Sequence, residues 1–164
     1  MTKKLINTVF LDIDDTISNF YIEDDAHKTD KDKWNREGFT KFVNRQGFEH
    51  LPMREDAHLL IRYLRNSGVQ VVMLTSAGKS WGARYDEIRR QKLFWLHKNK
   101  IDWPCIVVHK KEDKKDYATP DSILIDDTKQ NCEQFEESGG YSIHHKTALQ
   151  TILKINKKYD LKGN

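Results

Sequence analysis

A chain of 164 residues, 37% hydrophobic and 32% charged, can bury a core without staples, which excludes a disordered tail and a small cystine-held module. Its formal net charge of +3 is too small to mark nucleic acid as the partner, although it does not repel an anionic substrate. Only about eight mostly apolar residues separate Met1-Thr2-Lys3-Lys4 from Asp12, too few for a membrane span or a signal peptide, and the two distant cysteines, Cys105 and Cys132, read as buried free thiols, so a cytoplasmic chain with no membrane partner is expected.

In chain order, residues 5–13 predict a buried strand. Residues 22–33 are almost all charged or polar, and Trp34, Phe39, Phe42 and Val43 follow at spacings that suit a short helix or two. This is more chain than a connection requires, so residues 20–50 are expected to form a small helical cap inserted into a core of residues 1–19 and 51–164. Met53, Ala57, Leu60, Ile61 and Leu64 form a helical stripe that Gly68 stops. A second strand is expected over Val69–Leu74, and a longer helix over 81–98 carries Trp81, Tyr85, Ile88 and Trp95. Cys105–Val108 reads as a third strand, and Lys110–Asp116 is wholly charged. Ser122–Ile125 and Tyr141–Ile143 are the last strands, a helix at 129–137 lies between them, and residues 147–159 form a closing helix. Near-continuous apolar strands alternating with helices predict a parallel α/β sheet covered on both faces.

Four segments carry chemistry. Asp12-Ile13-Asp14-Asp15-Thr16 follows the first strand, and the carboxyl ends of parallel strands face the ligand crevice. Paired carboxylates there can bind a hard cation, attack phosphorus or move protons, although an Asp-rich turn has the same residues. Ile125-Asp126-Asp127-Thr128, with Asn131 beyond it, places a second acidic pair at another strand end. Four acids in one crevice repel strongly without a cation, which is the physical argument for Mg²⁺; the plainer alternative is a helix cap. Thr75-Ser76-Ala77-Gly78 offers hydroxyls and backbone N–H groups for a phosphoryl oxygen, or again only a cap. Lys110, Lys111, Lys114 and Lys115 supply cations, most of them expected in solvent.

The order strand-DxDxT, strand-Thr-Ser, lysine, strand-Asp-Asp resembles the haloacid dehalogenase-like superfamily from about residue 5 to residue 145. The resemblance implies a three-layer α/β/α Rossmann-like core and a Mg²⁺-dependent phosphomonoester hydrolase. Asp12 matches the nucleophile that forms an aspartyl-phosphate. Asp14 matches the general acid and base, which also offers its backbone carbonyl to the metal. Thr75 matches the phosphate-binding hydroxyl, and Lys114, with Lys115 second, the motif-three lysine. Asp127 matches the metal-touching acid, supported by Asp126 and Asn131, so the implied metal set is Asp12, Asp14, Asp126 and Asp127. Thr16, Phe20, Ser76, Ala77 and Gly78 are the expected substrate contacts.

Tyr117-Ala118, the Ser122–Asp127 run, Asn131 and Gly139-Gly140-Tyr141-Ser142-Ile143-His144 resemble the 5′(3′)-deoxyribonucleotidase branch. This implies a nucleoside monophosphate as the small phosphorylated substrate, with Phe20, Tyr21, Trp34 and Phe39 as rings to stack a base or simply to pack the cap. One alternative is a polynucleotide 3′-phosphatase, with Arg84, Arg89, Arg90, Lys92, Lys98 and Lys100 as a basic track or an ordinary solvated helix face. A second is a phosphate-binding regulator without turnover. His144-His145 lacks partner ligands at useful spacing and reads as surface or strand-end.

Overall fold

Alternation of side chains along the strands decides the layers. The computed structural model describes residues 2–20, 36–78 and 84–162. Within it lie β1 (Lys4–Ile6), β2 (Thr8–Leu11), β3 (Gln70–Ser76), β4 (Cys105–Val108), β5 (Ser122–Asp126), β6 (Tyr141–His144) and β7 (Tyr159–Leu161). Five of these form one sheet in the order β4-β3-β2-β5-β6, parallel at every pairing. Val9 and Leu11, Val71 and Met73, and Ile123 and Ile125 join one apolar cluster, while Phe10, Val72, Leu74 and Leu124 join the other.

The helices between strands supply the outer layers. These are α1 (Arg36–Asn44), α2 (Gly47–His50), α3 (Ala57–Ser67), α4 (Tyr85–Lys98), α5 (Lys129–Glu137) and α6 (Ala148–Lys158), with a 3₁₀ helix over Lys111–Tyr117. Leu60 and Leu64 of α3, Ile88 and Trp95 of α4 and Ile155 of α6 pack on the first face, and Phe135 of α5 packs on the second. The fold is the three-layer α/β/α Rossmann-like arrangement expected from the alternation. Strand order runs outward from β2 in both directions, so the switch point lies at the carboxyl end of β2, where such sheets bind ligands.

Three local departures have physical causes. The strand expected over residues 5–13 divides at Asn7, whose backbone N–H donates to the Asp121 carbonyl at 2.8 Å and whose side chain donates to the Asp121 carboxylate at 2.7 Å. β1 therefore leaves the main sheet and pairs in parallel with β7. The closing helix ends before Tyr159, which turns extended and sets its ring 5.6 Å from that of Tyr141. The helix expected from residue 53 begins at Ala57, because Met53 is held in a bridge to Ser18. Trp81 lies outside the described residues.

Residues 36–50 share the core of the rest. Phe42, Val43 and Phe48 belong to the first cluster. From α4, Gln91 donates to the Val43 carbonyl at 2.8 Å and accepts from the Phe48 N–H at 3.3 Å, while the Trp95 indole donates to the Leu51 carbonyl at 2.7 Å. At Gly47 an added Cβ would sit 2.2 Å from the fully buried Phe42 ring. Gly47→Ala is therefore expected to cost about 1–3 kcal/mol in denaturant melts, since the ring has nowhere to move; an unchanged midpoint would show that α1 and α2 are loosely packed. Among the described residues no helix is long and apolar enough to cross a membrane.

Candidate active site

The loop after β2 carries the first acids. The Asp12 N–H donates to the Ile125 carbonyl at 3.0 Å, so the chain stays against β5 one residue past the strand. Asp15 then takes a left-handed backbone (φ 57°), which Asp tolerates better than most residues. The chain curls back, and the N–H groups of Ile17 and Ser18 both reach the Ile13 carbonyl, at 3.0 and 2.9 Å.

Lys114 organises the centre. Its Nζ donates to Asp12 Oδ1 at 2.7 Å and to Asp126 Oδ2 at 2.6 Å, and all three side chains are buried. Asp126 is fully engaged: it also accepts from the Thr128 N–H at 2.8 Å and from Asn131 Nδ2 at 3.1 Å on each oxygen. It thus caps the turn before α5 and clamps Lys114 at once. Asn131 supports Asp126 in this way, rather than Asp127 as expected.

Burial sets the electrostatics. Asp12 is pushed up to about 7, first by burial and then by the Asp126 and Asp14 charges, with Lys114 pulling the other way. Asp127 is pushed up to about 8, again chiefly by burial, with Asp12, Asp126 and Asp15 adding to it. Burial alone would lower the Lys114 ammonium, but the two carboxylates overcome it and hold the pKa above the ordinary lysine value.

Carboxylate oxygens of Asp12, Asp126 and Asp127 lie within 4.8 Å of one another. Hard oxygen donors held this close, with two of the groups reluctant to ionise, fit a site for Mg²⁺. Since Asp126 spends its lone pairs on Lys114, Thr128 and Asn131, Asp12 and Asp127 are the pair with capacity for the ion. The Asp14 carboxylate stands outside the trio and pairs with Lys92.

These shifts fix a pH dependence. In the folded state Asp12 and Asp127 keep protons where the unfolded chain, with ordinary carboxyls near 3.8, has lost them. The folded form binds more protons, so stability falls as pH rises through about 7 and about 8. His145, lowered to about 4 chiefly by burial, has an ordinary value of 6.5 and acts only below that pH, with the opposite sign. In EDTA, melting is expected to drop by about 3–6 °C between pH 6.5 and 8, and Mg²⁺ to restore more of it at pH 8. A flat EDTA profile would show that the two carboxyls are ordinary.

A cavity of about 640 Å³ opens over this cluster, lined by Asp12, Asp14, Lys114, Asp127, Thr128 and Asn131 and by the rings of Phe20, Phe39 and Phe48. Ser76, Ala77 and Gly78 form a further wall, and so does the exposed Lys111. Phe20 stacks on Phe48 with centroids 5.7 Å apart and planes 5° from parallel. Tyr21 and Trp34 lie outside the described residues.

Some expected contacts fall elsewhere. Lys115 is exposed, because at three residues per 3₁₀ turn it points about 120° away from the buried Lys114. Thr16 is buried, with its hydroxyl 3.5 Å from Asp12 Oδ2, so it touches the candidate nucleophile rather than the cavity. Thr75 is buried, and its hydroxyl accepts from Lys92 Nζ at 2.9 Å. His145 is buried rather than superficial, with Nδ1 2.9 Å from the Thr151 hydroxyl, and His144 Nε2 lies 2.8 Å from the Asp127 carbonyl.

Lys92 is the residue the sequence reading misplaced. Counted in a basic track, it is 1% exposed and pairs with Asp14 Oδ2. Ile88, Gln91, Lys92 and Trp95 follow the i, i+3, i+4, i+7 rule, so Lys92 falls on the buried stripe of α4 and the signal was present. Arg90 is also withdrawn from the track, bonded to Glu87 at 2.8 Å and to Glu49 at 2.8 Å.

No protein-family model matches the chain, and no curated protein sequence does. Solved structures do resemble it. A hydrolase from Streptococcus pneumoniae TIGR4 is similar with a TM-score of 0.58 at 11% identity, over 92% of this chain and 98% of that one. A dehalogenase described with an intermediate complex has a TM-score of 0.55 at 11% identity, over 87% and 85% of the two chains. An uncharacterized protein from Corynebacterium glutamicum ATCC 13032 Kitasato has a TM-score of 0.50 at 14% identity, over 97% and 98%. At such identities the likeness is one of fold, the three-layer α/β/α Rossmann-like arrangement described above.

Proposed function

We propose that this chain is a phosphomonoester hydrolase that works through an aspartyl-phosphate on Asp12, with Mg²⁺ as cofactor and a nucleoside monophosphate as substrate. The observation that carries the reading is the position of Asp12: a carboxylate on a cavity wall, hydrogen-bonded to a buried lysine and beside a second desolvated acid, Asp127. A surface Asp turn has no use for such an arrangement, whose electrostatic cost is accepted only where a charge is to be used.

The residues present divide the work. Lys114 and Thr16 hold the Asp12 carboxylate in direction. Asp12 attacks phosphorus, the ester P–O bond breaks, and Asp14 gives its proton to the departing oxygen. Water then attacks the phosphoryl group, loses its proton to Asp14, and phosphate leaves Asp12 regenerated. Lys114, Lys111 and the N–H groups around Ser76–Gly78 are the donors available to the equatorial oxygens. Asp12 and Asp127 are the residues to hold Mg²⁺, which when bound screens carboxylate from phosphate.

The aromatic end supports the substrate class. Phe20, Phe39 and Phe48 line the same cavity as the carboxylates, and a ring stacked on a base contributes about 1–3 kcal/mol. Residues 20–50 are read as the cap that supplies this wall. Cys105 and Cys132, pushed by burial to about 11 and about 12, are inert thiols that suit a reducing cytoplasm.

Phosphate release from a panel of nucleoside monophosphates, a 3′-phosphorylated oligonucleotide and an aryl phosphate, each with Mg²⁺ and with EDTA, tests the reading. Mg²⁺-dependent release that favours mononucleotides is expected. Preference for the oligonucleotide would move the assignment to strand-end processing, and silence from a folded protein towards all of them would sink it.

A further inference from the structure

A lysine in the middle of a buried helical stripe is an expensive choice. Leucine or methionine would fill the same position on α4 with no ammonium to desolvate, and an ammonium is tolerated in such a place only when its donors are met. Lys92 meets them with three different elements. Its Nζ donates to Asp14 Oδ2 in the loop after β2 and, at 2.9 Å, to the Thr75 hydroxyl at the end of β3. It also lies 4.7 Å from the centroid of Phe48, on α2. A lysine ammonium has three donors and no acceptor, so one side chain fixes the relative placement of three walls of the cavity.

Two consequences bear on chemistry. Asp14 uses Oδ2 for Lys92, while Oδ1 makes no hydrogen bond among the described residues. That oxygen is enclosed, so the Lys92 contact fixes how the carboxylate, a lining group of the cavity, presents itself there. Thr75, having accepted from Lys92, keeps its own hydroxyl proton to donate elsewhere.

We propose that Lys92 is a positioning residue, orienting the Asp14 carboxylate for phosphoryl transfer. The inference rests on the phosphohydrolase reading and adds to it a residue that no strand-end motif contains. It acts through Asp14, so its removal is felt most where Asp14 is needed most. A sugar alkoxide requires a proton as it departs; 4-nitrophenolate does not.

The experiment compares kcat/KM for a nucleoside 5′-monophosphate and for 4-nitrophenyl phosphate in the wild-type protein and in Lys92→Met, with folding followed by circular dichroism and melting. Because kcat/KM ends at the first irreversible step, it isolates leaving-group departure from the later loss of phosphate. Lys92→Met is expected to lower it roughly 100-fold for the nucleotide and less than about 10-fold for the aryl ester. In an Asp14→Asn background the same substitution is expected to leave the ratio between the two substrates unchanged. Should Lys92→Met not fold, Lys92→Gln, which keeps a donor without the charge, carries the same comparison. An equal fall for both substrates, or no fall, would make Lys92 a structural lysine only and overturn the inference. A wild-type protein silent on both esters would instead overturn the phosphohydrolase reading, and the inference with it.

Discussion

Asp12→Asn is expected to release no detectable phosphate from any ester, a loss of at least about 10⁴-fold, while the protein stays folded. An amide cannot form the covalent intermediate of the proposed reaction, and Asp12 is the carboxylate bonded to both Lys114 and Thr16. The same substitution has a second, opposite consequence for stability. The folded state holds Asp12 up to about 7 because burial and its acidic neighbours disfavour the charge. A neutral amide removes that penalty, so above pH 7 in EDTA the variant should melt higher than the wild type. Loss of activity with gained stability is the signature of a group kept for function. Turnover retained in Asp12→Asn would place the nucleophile elsewhere.

Lys114→Met has the largest expected effect on folding. The side chain bridges two buried carboxylates, and Asp126 is fully enclosed. Removing one member of a buried ionic group leaves charge without compensation, at a cost of about 3–5 kcal/mol. Denaturant melts in EDTA would measure it. Adding Asp12→Asn to Lys114→Met should recover at least about 1 kcal/mol, because one of the stranded charges is gone. A loss under about 1 kcal/mol, with no recovery in the double variant, would show that the two carboxylates are protonated and that Lys114 merely fills space.

The layered core could be read from the chain because its three central strands are apolar on both faces. Val9-Phe10-Leu11, Val71-Val72-Met73-Leu74 and Ile123-Leu124-Ile125 divide between the two clusters residue by residue, and their shortness and β-branched content mark them as strands. The acids at strand ends were legible for the same reason: the sheet fixes where a strand stops. What could not be read were the partners that arrive from elsewhere. Lys92 sits 78 residues from Asp14 in sequence, and only its phase on α4 hinted that it turns inward. Lys114 and Lys115 are adjacent in a charged run, and a 3₁₀ rather than an extended course decides which of them is buried. The break at Asn7 depends on Asp121, a long-range hydrogen bond that leaves no local trace.

The pairing of β1 with β7 has a kinetic meaning. Lys4 lies opposite Tyr159, so a strand that precedes β2 pairs with one that follows every other strand of the sheet. Loop closure over so long a separation is entropically costly, although each doubling of length adds only about 0.6 kcal/mol. β2, β3 and β5 can assemble the crevice before that closure, and the β1–β7 ribbon then forms as a late event. Hydrogen exchange should therefore find Leu5 and Asp160 opening at lower free energy than Phe10 or Leu124. β1 would then be among the last of the described strands to fold, and the candidate site would not depend on it.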